Sequence, residues 1–340
     1  SAALAASAVL ALAAGEVLAR GALAPEDLLH GDAFWIARWN AARSAAEPSL
    51  TPGSAVNRWD ADLGWVSAEG YRSERVNVNS RGARGLREDP LEKPAGERRI
   101  VAIGDSFTFG DGVSDGEAWT ARLESELGGV RVINLGGLGY GTDQQYLRLV
   151  GSGLDYEPDL VVLGFYGPDV NRNVLSFRDY AKPIFRLDGA GLRLENVPVP
   201  HPGDARAVWS APAPRSWLAS LAERRCLELL DQTRFAPKWE VTQRILDRIL
   251  AASSERGARL LLAYFPNKWW SSRSAEEVVL AAWAREREVA FVDVGEAFAE
   301  LAPADQARLY EVHWTPLGNE VVARKLAREI ERLGLLDGRP

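Results

Sequence analysis

The sequence lacks methionine and has one cysteine and three histidines among its 340 residues. With Cys226 alone, neither an intrachain disulfide nor a zinc site built from several cysteines can form. There is no long basic run, and 47 Asp and Glu outweigh 40 Lys and Arg, which argues against nucleic acid as the main partner. Any catalytic imidazole must belong to His30, His201 or His313.

Residues 1–24 contain an apolar stretch that Glu16 and Arg20 end. A membrane-spanning helix needs roughly 20 apolar residues, and the uncharged run over 1–15 is shorter but begins at the first residue. Two interpretations stay open: the remnant of a membrane anchor or signal sequence, or an Ala-rich helix packed on the protein. Because the chain starts at Ser1 without methionine, we expect it to be processed or trimmed.

Residues 25–97 predict a small amino-terminal appendage followed by a linker. A helical pattern over 32–46 carries the aromatic residues Phe34, Trp35 and Trp39. Alternating stretches and turn residues over 59–79 predict a few short strands. Two prolines within 88–97 are typical of a linker.

Residues 98–335 have the pattern of an α/β domain. Short, almost continuous apolar runs predict buried strands over 99–104, 130–134, 159–165, 258–264 and 289–293. Helical patterns lie between these runs, and a last one follows Pro316. The alternation predicts a three-layer α/β/α sandwich with a mostly parallel five-stranded sheet, whose ligand site lies beyond the carboxyl ends of the strands.

One segment, 176–215, interrupts this alternation and contains six prolines. It is too long for a plain connection in a compact domain, and it follows the third strand of the predicted sheet. It is therefore either a lid or substrate-side insertion at the ligand edge, or an exposed decoration.

Ser106 is the candidate nucleophile because it lies at a predicted strand-to-helix turn, in Gly104-Asp105-Ser106. Glycine allows the tight turn, and the end of the strand exposes the hydroxyl. The turn is not a G-x-S-x-G elbow, since Thr108 stands at the second glycine position. A helix-capping serine is the alternative.

His313 is the best-placed base for such a serine. It follows the fifth predicted strand and precedes the last helix, so it should emerge at the same sheet edge as Ser106. Glu311, two residues earlier, could hold the far ring nitrogen. His30 lies in the appendage and His201 in the proline-rich insertion.

A glycine-rich loop over 134–142 follows the second predicted strand. Its backbone N–H groups suit an oxyanion hole. A phosphate loop is the weaker alternative, because no Gly-Lys-Ser/Thr sequence is present.

Together, Gly104-Asp105-Ser106, the block 134–139 and His313 before a final helix resemble the SGNH (GDSL) hydrolase superfamily in order and strand position. The resemblance covers 98–335. It implies a flavodoxin-like fold and ester hydrolysis, or acyl transfer to or from sugars, through a seryl acyl-enzyme without cofactor or metal. By motif, Ser106 is the nucleophile and an oxyanion donor, Gly139 is the oxyanion glycine and His313 is the base.

The stretch 79–85 and the apolar segment resemble the lead-in of membrane-anchored bacterial members. The implied location is the bacterial cell envelope, facing the periplasm or exterior, or outside the cell. The implied substrate is an acylated carbohydrate or another small ester.

Two positions depart from the family pattern. Pro168 stands where an asparagine normally completes the oxyanion hole, and proline has no N–H. Asn171 and Asn173 are the candidates to replace it. Glu311 stands in for the usual triad aspartate. The alternative function is therefore a catalytically impaired domain that serves as a binding or assembly component of an envelope complex.

Two tryptophans near predicted strand ends, Trp269 and Trp314, are candidates for a substrate-stacking surface. Packing in the core is the alternative for both.

Overall fold

The computed structural model describes residues 2–45, 55–189, 191–204, 216–231, 237–267 and 274–337. Within these ranges the strands are β1 (Asn57–Asp60), β2 (Gly64–Ser67), β3 (Arg98–Gly104), β4 (Val130–Asn134), β5 (Leu160–Tyr166), β6 (Ile184–Asp188), β7 (Gly191–Glu195), β8 (Arg259–Phe265) and β9 (Ala290–Asp293). The helices are α1 (Ala2–Ala22), α2 (Gly31–Ala45), α3 (Ser106–Phe109), α4 (Trp119–Leu127), α5 (Thr142–Arg148), α6 (Asp169–Arg172), α7 (Trp217–Asp231), α8 (Pro237–Glu255), α9 (Ala275–Glu286), α10 (Gly295–Ala299), α11 (Pro303–Gln306) and α12 (Pro316–Arg332).

A parallel five-stranded sheet with the strand order β4-β3-β5-β8-β9 lies at the centre of residues 98–337. Counted along the chain within this sheet, the order is 2-1-3-4-5, which is the flavodoxin-like arrangement. The strands coincide within a residue or two with the five apolar runs of the sequence. The predicted fold class is confirmed.

The two faces of the sheet explain why those runs are almost continuously apolar. Along β3, Val101 and Ile103 pack into one core cluster, and Ile100 and Ala102 pack into the other. Helices α5, α8 and α9 cover the first face, and α4 and α12 cover the second. Each strand is therefore buried on both sides, as the predicted sandwich requires.

The β1–β2 hairpin of the appendage is joined to the glycine-rich loop after β4. The indole Nε1 of Trp65 donates to the Leu138 carbonyl over 2.7 Å, and the Tyr140 hydroxyl donates to the Trp65 carbonyl over 2.6 Å. These bonds run in opposite directions between the same two segments. The hairpin thus forms a wall at the carboxyl edge of the sheet.

Helix α1 packs against α7. The carboxylate of Glu16 accepts hydrogen bonds from the backbone N–H groups of Trp217 and Leu218, both 3.0 Å, and from the Ser216 hydroxyl at 2.9 Å. The carboxylate thereby satisfies donors that α7 leaves free at its first turn. In the part of the chain that the structure describes, no helix combines the length and the apolar character needed to cross a membrane.

The proline-rich insertion begins with a buried ion pair and continues into the β6–β7 hairpin; its residues 205–215 lie outside the described ranges. The fully buried Lys182 ammonium contacts the carboxylate of Asp143 in α5. It also donates to the carbonyls of Leu175 (3.1 Å) and Pro183 (3.0 Å). The charge of Lys182 is therefore compensated and hydrogen-bonded, and it fixes the insertion to the domain.

Replacing Lys182 by Met leaves the Asp143 carboxylate buried without its cation. We expect the free energy of unfolding to fall by about 3–5 kcal/mol. The double variant Lys182→Met/Asp143→Leu removes both charges and should recover most of this loss, because apolar pairs can replace buried ion pairs. Urea unfolding followed by tryptophan fluorescence measures both changes. Equal stability of Lys182→Met and the unmodified chain would contradict the assignment.

Candidate active site

Ser106 is the first residue of α3, directly after the turn that ends β3. The Asp105 carboxylate caps this helix by accepting from the Phe107 N–H over 2.9 Å. A Cβ at Gly104 would lie 2.0 Å from Oγ1 of Thr108 and 2.8 Å from the Gly164 carbonyl, so only glycine fits there. The tight turn brings the serine hydroxyl to the carboxyl edge of the sheet.

His313 reaches Ser106 from the loop that precedes α12. The loop is closed by a hydrogen bond from the Thr315 N–H to the Leu309 carbonyl over 2.9 Å. Thr315 then caps α12, where Pro316 occupies the first turn. Nε2 of His313 lies 2.9 Å from Oγ of Ser106. The structure therefore brings together the serine and the histidine that the sequence singled out.

Asp111 occupies the position that the sequence assigned to Glu311. Its Oδ2 lies 3.5 Å from Nδ1 of His313. Glu311 is exposed, and its backbone N–H donates to the His313 carbonyl over 2.9 Å in a tight turn. The carboxylate at Nδ1 is that of Asp111, so Glu311 does not take the place expected for the triad acid.

The imidazole of His313 rests on an aromatic cluster. Phe107 contacts the ring of His313 with centroids 4.9 Å apart and that of Trp314 with centroids 4.8 Å apart. Trp314 also packs against Phe265 and is only 2% exposed. Trp314 is thus a core residue and not the substrate contact that the sequence predicted. Trp269, the other candidate, lies outside the described residues.

The N–H groups of Ser106 and Gly139 are both available to a ligand. Gly139 has φ +75°, which favours glycine, and it lines the same cavity as Ser106. Across the described ranges, neither N–H donates a hydrogen bond to the protein. Two such backbone donors beside a nucleophile are the arrangement of an oxyanion hole.

The two asparagines proposed to replace the missing amide lie elsewhere. Asn171 faces a different cavity, where its Oδ1 accepts from the Lys238 ammonium over 2.7 Å. Asn173 is fully buried and donates through Nδ2 to Oγ1 of Thr242 over 2.8 Å. Neither lines the Ser106 cavity, so the expectation that one of them completes the oxyanion hole is wrong.

Arg172, between these asparagines, does line the Ser106 cavity. Its Nη1 donates to Oδ2 of Asp105 (2.8 Å), Oδ1 of Asp169 (2.7 Å) and the Tyr140 carbonyl (2.9 Å). Burial lowers the pKa of the guanidinium, but the charges of Asp169 and Asp105 outweigh this and raise it. Burial, followed by the charge of Asp105, raises the pKa of Asp169 well above its ordinary value.

The cavity above Ser106 has a volume of about 570 Å³. Much of its wall comes from residues that the sequence did not assign to the site. The aromatic residues within 34–39 were the one feature of the sequence that drew attention to this part of the wall. The unassigned wall residues are Trp35, Arg38, Ala55, Val56, Asn57, Trp65, Tyr166, Arg172, Arg178 and Asp179. Both the appendage and the start of the insertion thus contribute to the site. Among the described side chains, no group of three or more His, Cys, Asp and Glu is placed to hold a metal ion.

Residues 102–321 match the model of the GDSL-like lipase/acylhydrolase family. No curated protein matches the chain significantly. A solved structure of a G-D-S-L family lipolytic protein from Desulfitobacterium hafniense shares 16% identity, with 68% of this chain and 98% of that chain covered and a TM-score of 0.42.

Two further solved structures are similar at the same level. A lipase/acylhydrolase from Enterococcus faecalis shares 16% identity over 72% of this chain and 99% of its own, with a TM-score of 0.41. A catalytic mutant of an acetylxylan esterase from Geobacillus stearothermophilus shares 16% identity over 68% of this chain and 94% of its own, with a TM-score of 0.42.

The family model spans well over half of the chain and includes both Ser106 and His313. The resemblance to SGNH (GDSL) hydrolases is confirmed, and the chain belongs to the GDSL-like lipase/acylhydrolase family.

Proposed function

We propose that this protein is a serine ester hydrolase that removes an acyl group from a carbohydrate or another small ester through a covalent intermediate on Ser106. Membership of the family supports ester hydrolysis in general. The observation that carries the proposal is the 2.9 Å separation of Ser106 Oγ and His313 Nε2 in a cavity that also presents two unused backbone donors.

In the first half of the reaction, Nε2 of His313 takes the hydroxyl proton of Ser106 while Oγ bonds to the acyl carbonyl carbon. The N–H groups of Ser106 and Gly139 donate to the carbonyl oxygen as it becomes negative. His313 then gives its proton to the ester oxygen, and the C–O bond to the alcohol breaks. The acyl group stays on Ser106.

In the second half, water occupies the place of the alcohol. His313 takes a proton from this water as its oxygen attacks the acyl carbon. The bond to Oγ then breaks, and the proton returns from His313 to Ser106. The carboxylic acid leaves and the enzyme is restored. A sugar hydroxyl in the place of water would give acyl transfer through the same steps.

Asp111 is the residue we assign to orienting His313. Its carboxylate at Nδ1 favours the tautomer that leaves Nε2 free to accept a proton, and it stabilises the imidazolium that forms. Because the Asp111 side chain is 48% exposed, solvent weakens this interaction relative to a buried carboxylate.

The substrate class follows from the wall of the cavity. Trp35 and Tyr166 line the cavity with guanidinium groups over their rings, and Asn57 and Asp179 are polar groups beside them. Such a mixture of aromatic, charged and polar groups suits the hydroxyl groups of a sugar. We place the reaction in the bacterial cell envelope or outside the cell, as the resemblance of residues 79–85 to the envelope members of the family implies.

A fluorophosphonate probe tests the nucleophile directly. The unmodified chain should be labelled covalently, Ser106→Ala should not be labelled, and His313→Ala should react about 10²–10⁴-fold more slowly because the general base is lost. His201→Ala, a histidine outside the cavity, is the matched control and should react at the normal rate. A folded chain that is not labelled would contradict the hydrolase and favour a binding or assembly role.

The role of Asp111 is tested by comparing two isosteric variants. Asp111→Asn should slow labelling by roughly 10- to 100-fold, because the imidazolium loses its counter-charge. Glu311→Gln should change the rate less than about threefold, since Glu311 is not the carboxylate at Nδ1. Mass spectrometry of the labelled peptide over time gives both rates. A larger effect at Glu311 than at Asp111 would overturn the assignment.

A further inference from the structure

The oxyanion hole described above has two backbone donors and no amide side chain. Pro168 contributes neither a side-chain donor nor an N–H, and Asn171 and Asn173 do not line the Ser106 cavity. Losing one donor of an oxyanion hole typically costs on the order of 10²–10³ in rate. Three arginines that the reaction steps do not use also line the cavity: Arg38, Arg172 and Arg178. Nη1 of Arg178 pairs with Asp179, whereas Arg172 bonds to the turn that precedes Ser106.

The hydrogen bonds of Arg172 use only one of the three nitrogens of its guanidinium. Within the described residues, the three bonds of the group all come from Nη1, and Nε and Nη2 donate to no protein acceptor. The side chain is 11% exposed, and it lines the cavity together with Ser106 and Gly139. Its Cζ lies 5.5 Å from the ring centroid of Tyr166. Nε and Nη2 are not among the buried polar atoms that lack a partner, so both are accessible to a ligand.

The partners of Nη1 place the guanidinium next to both backbone donors. Asp105 directly precedes Ser106 in the chain, and Tyr140 directly follows Gly139. Arg172 bonds to each of these neighbours. The guanidinium therefore bonds to the chain neighbour of each backbone donor and shares one cavity wall with both.

We propose that Arg172 is the third oxyanion donor of this enzyme and takes the place of the asparagine that Pro168 removes. This inference rests on the proposed function. As the acyl carbonyl becomes negative, a free N–H of the guanidinium donates to its oxygen, in addition to the two backbone N–H groups. Arg172 is then a catalytic residue, because it touches the reacting oxygen.

The local charges are compatible with this role. Three carboxylates act on Arg172, those of Asp169, Asp105 and Asp179, and Asp179 is also paired with Arg178. If Asp169 and Asp105 were both fully ionised, they would offset more than the single charge of Arg172. Burial and the neighbouring Asp105 raise the pKa of Asp169 and thus favour its protonated form. Arg172 and Asp105 then form a pair without excess negative charge, which would otherwise oppose the oxyanion.

An oxyanion donor acts mainly in the transition state, which distinguishes it from a residue that binds substrate. With the neutral ester p-nitrophenyl acetate, Arg172→Gln should lower kcat by about 10²–10³-fold and change KM less than about threefold. Arg172→Lys keeps the positive charge but lacks the planar guanidinium and its several N–H donors. We expect an intermediate kcat for this variant.

Arg99→Gln is the matched control for loss of a buried, ion-paired arginine. Arg99 is fully buried, contacts Glu97 and lies at the opposite end of β3 from Ser106. Its replacement should lower the melting temperature and leave kcat unchanged. If Arg172→Gln does not fold, Arg172→Lys keeps a cation beside Asp105 and should still lower kcat with KM unchanged.

The outcomes separate this inference from the proposed function. A labelled, active parent whose Arg172→Gln variant keeps its kcat contradicts the role of Arg172 alone. A rise in KM restricted to an anionic ester such as p-nitrophenyl hemisuccinate, with kcat on the acetate unchanged, makes Arg172 a substrate-binding group and also overturns the proposal. A folded parent that is neither labelled nor active contradicts both.

Discussion

A single nitrogen atom, Nη1 of Arg172, holds together the loops that carry the site. Its three acceptors belong to the turn after β3, the loop after β4 and the turn after β5. These are the carboxyl ends of three adjacent parallel strands, where the fold leaves an open crevice. The nucleophile and the oxyanion glycine lie on the first two of these loops. Beyond the pairing of the strands, Nη1 of Arg172 thus links these two loops to each other.

The sheet and the Ser106–His313 pair could be predicted because their signals are local. An apolar run bounded by turn residues indicates a strand buried on both faces, and parallel strands end at one edge. The partners of these residues could not be predicted, because they depend on short turns. Asp111 reaches the imidazole only because Gly110, with φ +85°, reverses the chain after α3. The position of Glu311 two residues before His313 suggested a contact with Nδ1, where the structure places Asp111 instead.

Side-chain directions in the short segments after β5 and before α12 could not be predicted from the sequence either. In the short helix α6, consecutive side chains point in directions about 100° apart. Arg172 therefore enters the Ser106 cavity while Asn171 faces another cavity. Likewise, His313 faces the cavity and the adjacent Trp314 is buried against Phe107. A sequence pattern places such residues near a site, but the rotation of one turn decides which of them belongs to it.

The segment 106–111 contacts both nitrogens of the His313 ring, Nε2 through Ser106 and Nδ1 through Asp111. Within it, the N–H groups of Gly110 and Asp111 both donate to the Ser106 carbonyl over 2.9 Å. The backbones of Ser106 and Asp111 are therefore joined directly. A shift of the histidine loop against this segment would change both contacts of the ring together, so one packing contact determines both the proton acceptor and its counter-charge.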